Sequence, residues 1–162
     1  MVVKHSQAAH RLDYQYHFAE ATSRQQGARL SDIAVDLRRG SLNSAEAKDA
    51  SHFVLHTTDL DPGNRGQWLD FSGRRFRFPV TKSGPVTRAE AGDIIVARVG
   101  RTAHDKVIGI GAGSVVLTDC LYRLRVASSK QDAVLRALSS PEGRAWLELH
   151  AYGVAARQLT KS

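Results

Sequence analysis

Apolar and polar residues follow a strand-like period over most of the chain, and a helical period appears only towards its end. L-S-D-I-A (Leu30–Ala34) carries a helix-start signal at Ser31 or Asp32, which predicts a short helix. V-D-L-R-R-G (Val35–Gly40) begins with the alternation of a half-buried strand. The following S-L-N-S-A-E-A-K-D-A is a polar loop or a frayed helix. H-F-V-L-H-T (His52–Thr57) reads as a strand, D-P-G-N (Asp61–Asn64) as a turn and Q-W-L-D-F as a short strand. In R-R-F-R-F-P-V, Phe76 and Phe78 share one face while Arg75 and Arg77 share the other. G-D-I-I-V-A-R-V-G and K-V-I-G-I-G predict two further strands. In T-D-C-L-Y-R-L-R-V, Cys120, Tyr122, Leu124 and Val126 face one way, and Leu121, Arg123 and Arg125 the other.

Helices become distinct after residue 129. K-Q-D-A-V-L-R-A-L (Lys130–Leu138) sets Val134, Leu135 and Leu138 on one stripe. S-P-E-G-R-A-W-L-E-L starts with Ser140 as N-cap, Pro141 in the first helical position and Glu142 in the first turn. Ala145, Trp146 and Leu149 are expected to face the core. Strands followed by a helical pair predict an α+β fold, with an irregular, mostly antiparallel twisted sheet and a C-terminal helical pair. Residues 1–25 lack firm periodicity and read as an N-terminal arm, leaving 26–162 as one domain.

With 162 residues the chain is long enough to bury a core. Its formal charge of +7 favours a polyanionic partner, nucleic acid or an acidic membrane surface. Cys120 is the single cysteine, which excludes an internal disulfide and a multi-cysteine zinc site. No apolar run approaches the length of a membrane span, and nothing resembles a signal peptide, so a soluble cytoplasmic protein is expected.

Catalytic chemistry finds no coherent residue set. His52 and His56 share a face of the expected strand, but nothing nominates a third metal ligand. G-I-G-A-G-S (Gly109–Ser114) is followed by strand-forming V-V-L, so a hairpin turn fits better than a phosphate cradle. Cys120 is expected on the apolar face of a strand, as an inert thiol. No G-x-S-x-G elbow exists. Glu46-Ala47-Lys48 has a nuclease-like E-x-K spacing without a preceding Pro-Asp, and Asp93, Asp105 and Asp119 suit turn or capping roles. No cofactor is implied.

The basic residues make the stronger case. Arg38 and Arg39 precede Gly40-Ser41 at a strand-to-loop junction, and Arg74, Arg75 and Arg77 follow a Ser-Gly turn. Arg98 and Arg101 bracket Val99-Gly100, with His104 and Lys106 close behind. Loops on a rigid scaffold can present such groups to a groove, where Arg reads guanine through its fork and Arg or Lys neutralises phosphate.

The order of R-L-S-D-I-A-V-D-L-R-R-G (Arg29–Gly40), F-V-L-H-T-T-D-L-D-P-G-N (Phe53–Asn64) and A-G-D-I-I-V-A-R-V-G (Ala91–Gly100) resembles a known family. T-D-C-L-Y-R-L-R-V (Thr118–Val126), A-L-S-S-P-E-G-R-A (Ala137–Ala145) and Y-G-V-A-A-R-Q-L-T (Tyr152–Thr160) continue the series. Together, over about residues 28–160, they resemble a target recognition domain of type I restriction–modification specificity subunits. That resemblance implies a domain that grips duplex DNA and reads bases through variable loops, while methyl transfer and cleavage belong to other subunits. It implies that Arg38–Ser41, the turn at Thr57, Thr58 and Asp59, and Arg98–Arg101 lie near DNA, with Arg157-Gln158 in the polar segment after the last helix.

Full specificity subunits carry two such domains separated by long helices, whereas this chain shows one domain and neither long helix. A fragment, a self-associating half-subunit and the recognition module of a larger methyltransferase all remain open. The expectation is a non-catalytic, sequence-specific double-stranded DNA-binding module that works with an adenine methyltransferase subunit or domain. Reversing charge at Arg98 and Arg101 is expected to abolish DNA binding with the fold intact. The alternatives are a protein-interaction domain on the same scaffold and a small divergent nuclease.

Overall fold

A computed structural model describes residues 30–49, 54–73 and 86–151. The expected N-terminal arm, the R-R-F-R-F-P-V segment and Tyr152–Thr160 lie outside the described residues. The chain opens with α1 (Leu30–Ile33), β1 (Ala34–Arg39), α2 (Ser44–Asp49) and β2 (Val54–Leu55). Then come β3 (Trp68–Asp70), β4 (Arg88–Glu90), β5 (Ile94–Ala97) and β6 (Val107–Ala112). Finally β7 (Ser114–Leu117), β8 (Leu121–Val126), α3 (Gln131–Ser139) and α4 (Pro141–His150) complete the described fold. The α+β class and the C-terminal helical pair match the sequence pattern.

The strands divide into two sheets. One runs β1-β8-β5-β6-β3, antiparallel except where β3 joins β6; the other runs β2-β7-β4, with β2 parallel to β7. Ile95, Ala97, Ile108, Ile110 and Leu121 pack between the sheets with Leu55, Ala89, Val115 and Leu117. On the opposite face, Ile94, Val96, Val107, Tyr122, Leu124 and Val126 pack with Val134, Leu135 and Leu147 of the helices. The five-stranded sheet is therefore the middle of three layers. Its central strand is buried on both faces, which is why I-I-V-A reads as an unbroken apolar run.

Two corners carry the chain between sheets. Gly92, at φ 91°, turns β4 into β5, and Gly113, at φ 78°, turns β6 into β7. The G-I-G-A-G-S run is thus not a hairpin turn, because β6 and β7 belong to different sheets. Gly109 instead lies inside β6, where an added Cβ would fall 2.1 Å from Cε3 of Trp68. The indole crosses this glycine and donates from Nε1 to Asp132 Oδ1 at 2.8 Å, in the first turn of α3. Gly109→Val should therefore cost about 1–3 kcal/mol by overpacking, seen as a lower denaturation midpoint with altered tryptophan fluorescence. Gly73→Ala, with nothing within 4 Å of the new Cβ, should stay within about 0.5 kcal/mol of the parent.

The charged residues of β8 are not a solvated face. Arg123 is 7% exposed and spans the layers: it donates to the carbonyl of Arg88 in the other sheet at 2.8 Å and pairs with Asp36 of β1. Arg125 grips the buried Asp93 in a bidentate pair at 2.7 and 2.8 Å, while Asp93 also accepts from the Glu90 backbone N–H. Asp93 thereby closes the β4–β5 corner, the turn role its sequence context suggested.

Helix α3 begins where the sequence placed it, and Ser140 caps α4 by accepting from Gly143 N at 3.0 Å. The buried stripe of α4 differs from expectation. Leu147 and Ala151 are buried, whereas Ala145 is exposed and Trp146 remains 47% exposed, stacked on His150 at 4.0 Å. A helical period does not encode which stripe of the helix meets the sheet.

Arg65 fastens the helical pair to the sheets. Its guanidinium donates to the Leu138 and Ser139 carbonyls at the end of α3, and to the His104 carbonyl. These are carbonyls that a helix terminus leaves without partners, so a cation is favoured there. Arg144 of α4 in turn pairs with Asp105.

Candidate nucleic-acid interface

The topology gathers the basic loops at one end of the molecule. β1 and β5 end there, at Arg39 and Ala97, while the antiparallel β8 and β6 begin there, at Leu121 and Val107. In the second sheet β2 and β7 also finish at this end, and the Thr118 N–H donates to the Leu55 carbonyl. Three segments separated in sequence, Arg38–Ser41, Thr57–Asp59 and Arg98–Lys106, therefore surround the Thr118–Cys120 turn.

Close backbone packing fixes the first of these. Gly40 N donates to the Leu121 carbonyl and Ser41 N to the Leu117 carbonyl. A Cβ on Gly40 would sit 1.8 Å from the Thr118 oxygen, so only glycine passes here. Asn43 and Glu46 then form a reciprocal cap for α2: Asn43 Oδ1 accepts from Glu46 N, and Glu46 Oε2 accepts from Asn43 N. That assigns the E-x-K carboxylate to a cap.

The second loop is a 3₁₀ turn, Thr57–Asp59, whose entry is closed by His56 and Asp59. His56 Nδ1 accepts from Thr58 N at 3.3 Å, and Asp59 Oδ2 accepts from His56 N at 2.8 Å. His56 is thus engaged in capping, and His52 lies outside the described residues. Among the described residues no group of three or more His, Cys, Asp or Glu is placed to hold a metal ion. Lys106 Nζ donates to the Thr57 carbonyl at 2.7 Å, tying the second loop to the third.

Asp119 is the centre of the arrangement. Its carboxylate Oδ2 accepts from Arg39 at 2.7 Å, and its backbone carbonyl accepts from Arg39 Nε at 3.1 Å and Arg98 Nε at 3.0 Å. Two arginines from different loops therefore meet on one residue. Cys120, beside them, lies in the turn before β8 and is half-buried, not inside a strand as expected. Burial pushes its thiol pKa up, reinforced by the Asp119 carboxylate, so it stays a thiol at neutral pH.

The other sequence candidates are distributed unevenly. Arg38 has a 67% exposed side chain and pairs with Asp36 at 2.9 Å. Arg101 is exposed in the turn after Gly100, whose φ of 134° requires glycine. Thr58 is exposed, and Ser41 accepts from Thr87 N at 2.8 Å. His104 is the exception: at 7% exposure it lies beneath the loop, between Arg144 and Asp105, and presents no surface to a duplex. Arg74, Arg75, Arg157 and Gln158 lie outside the described residues. Sequence reasoning missed Asp119 as an organiser; its only local signal was an acidic residue among basic loops.

Asp36 and Asp105 are among the carboxyls held below the usual range. Partial burial works against ionising Asp36, but Arg123 and Arg38 outweigh it; at Asp105 the Arg144 hydrogen bond does the same. A carboxyl depressed in the folded state stabilises above its unfolded pKa and loses that contribution as pH falls through its folded value. The unfolding midpoint should therefore be level between about pH 7 and 5 and decline below about pH 4. Asp105→Asn should make that decline shallower; a midpoint that rises on acidification would contradict both assignments.

No protein-family model matches the sequence, and no curated protein matches it. Among solved structures, the chain is similar to a type I restriction–modification system S subunit from M. genitalium, with 13% identity and a TM-score of 0.43. The match covers 86% of this chain and 33% of that one, so this chain spans about a third of that protein's length. No helix among the described residues is long and apolar enough to cross a membrane.

Proposed function

We propose that this chain is a non-catalytic, sequence-specific reader of duplex DNA. The observation that carries the reading is the convergence of Arg39 with Arg98, Arg101 and Lys106, from two loops far apart in sequence, at one end of a two-sheet scaffold. Arg38, Ser41, Thr57 and Thr58 border the same surface. The loops are braced by backbone bonds and caps, so their cations are presented at low entropic cost to phosphates and base edges. The chain's formal charge of +7 supplies long-range attraction to a polyanion. A methyltransferase subunit or domain as partner follows from the sequence resemblance alone, and belongs to the same proposal.

Selection of randomised duplex DNA on the purified chain, sequenced at two salt concentrations, tests the reading. Enrichment of a short motif that persists at the higher salt supports base readout. Binding without enrichment, lost steeply with salt, reduces the surface to phosphate attraction. No binding at either salt overturns the proposal. A protein partner is the second reading, favoured by the exposed Trp146–His150 stack on α4.

A further inference from the structure

We infer that Asp119 is a positioning residue that sets Arg39 as a guanine-reading fork. The inference rests on the DNA-reading proposal and adds the base class to it. A guanidinium carries five N–H donors in a rigid plane. Asp119 takes two of those of Arg39, from Nε and one terminal nitrogen, which fixes the plane of the group and leaves the far edge of the fork for another acceptor pair. Arg98 is anchored through Nε to the same carbonyl oxygen. The two side chains share that acceptor although they come from segments that flank opposite edges of β8.

Guanine is the base that offers two acceptors, O6 and N7, spaced for such a fork in the major groove. A phosphate can also accept such a fork, but that contact is indifferent to the base and to its N7 atom, which the test below exploits. An acidic residue within a basic surface is unfavourable for phosphate attraction, since it cancels part of the field. Its presence here, with the carboxylate engaged by Arg39, is accounted for by orientation of that guanidinium. The side chains of Arg39 and Asp119 are 49% and 29% exposed, so the pair is reachable from solvent. Cys120, adjacent in the turn, contributes only a long thiol contact to Asp119 Oδ1 at 3.5 Å, so it does not compete for the carboxylate.

Removing the Asp119 charge should therefore move specific and non-specific binding in opposite directions. The test uses the duplex enriched by selection, the same duplex with single guanines replaced by 7-deazaguanine, and an unrelated duplex of equal length. For the parent chain, 7-deazaguanine at one or two positions should weaken binding at least about fivefold, because it lacks the N7 acceptor. For Asp119→Asn, that sensitivity should shrink, while affinity for the unrelated duplex stays equal or rises. A residue that only supported the fold would weaken binding to both. Arg39→Lys is the companion variant: it keeps the charge while losing the fork. It should lose guanine sensitivity, with affinity for the unrelated duplex falling by less than affinity for the selected one.

Guanine sensitivity that persists in Asp119→Asn and Arg39→Lys overturns the inference. So does a parent chain that selects a motif indifferent to 7-deazaguanine, and in that case the DNA-reading proposal survives. A parent chain that binds no duplex overturns both.

Discussion

Arg125→Met is expected to cost about 3–5 kcal/mol, the largest stability loss among single substitutions at charged positions of this sheet. The reason lies in its partner. Asp93 is 1% exposed, and Arg125 supplies both hydrogen bonds to its carboxylate from a side chain. Deleting the arginine leaves a buried anion whose remaining bond is to the Glu90 N–H. In the parent, the Asp93 carboxylate, and then Glu90, holds the Arg125 pKa above its ordinary value. Differential scanning calorimetry should show a midpoint lowered by about 10 °C or more for a chain of this size. The Asp93→Leu/Arg125→Met double variant should recover part of the loss, because burying no ion costs less than burying one alone. A single variant within about 1 kcal/mol of the parent would sink the account.

Arg98→Ala combined with Arg101→Glu is expected to lower duplex affinity by about a hundredfold or more, at roughly 1–3 kcal/mol for each arginine withdrawn from the duplex. The structure alters the choice of variant. Charge reversal at both positions was the natural design from sequence, but Arg98 donates to the Asp119 carbonyl, and a glutamate there would face carbonyl and carboxylate oxygens. Alanine removes the fork without that repulsion, while Arg101 is exposed and tolerates reversal. The slope of log affinity against log salt should also become shallower, by about one for each phosphate that is no longer neutralised. Far-ultraviolet circular dichroism must match the parent for the comparison to count. Unchanged affinity, with unchanged spectra, would remove this loop from the DNA surface.

The elements legible in the sequence were those whose signal is local. β5 and β6 announced themselves as apolar runs bounded by glycine, and α4 through the Ser140-Pro141-Glu142 start. The alternation in β8 was also legible, with Tyr122, Leu124 and Val126 together against the helices. What it could not convey was the environment of the other face. Arg123 and Arg125 were legible only as sharing a face with Leu121; that Arg123 is buried against a second sheet and that Arg125 is tied to the β4–β5 corner was not. The division into two sheets was hidden for the same reason, since Gly113 looks like any turn glycine until β6 and β7 are assigned partners. Among the candidate site residues, loop position was readable and depth was not. His104 and Arg101 stand three residues apart, one buried and one exposed, because the 3₁₀ turn Ala103–Asp105 folds the histidine under α4.

The position of β1 bears on how the chain is made. It sits at the edge of its sheet, and its partner β8 contributes Arg123, which is 87 residues beyond Asp36. At about 5–20 residues per second, a ribosome would leave β1 without its partner for about 4–17 s. An unpaired strand is a template for wrong association during that interval. β1 carries its own safeguards: Asp36, Arg38 and Arg39 place charge along it, and the register slips at Val35, which bulges outward at 68% exposure. The same charges that border the proposed DNA surface in the finished molecule would keep nascent copies apart while synthesis proceeds.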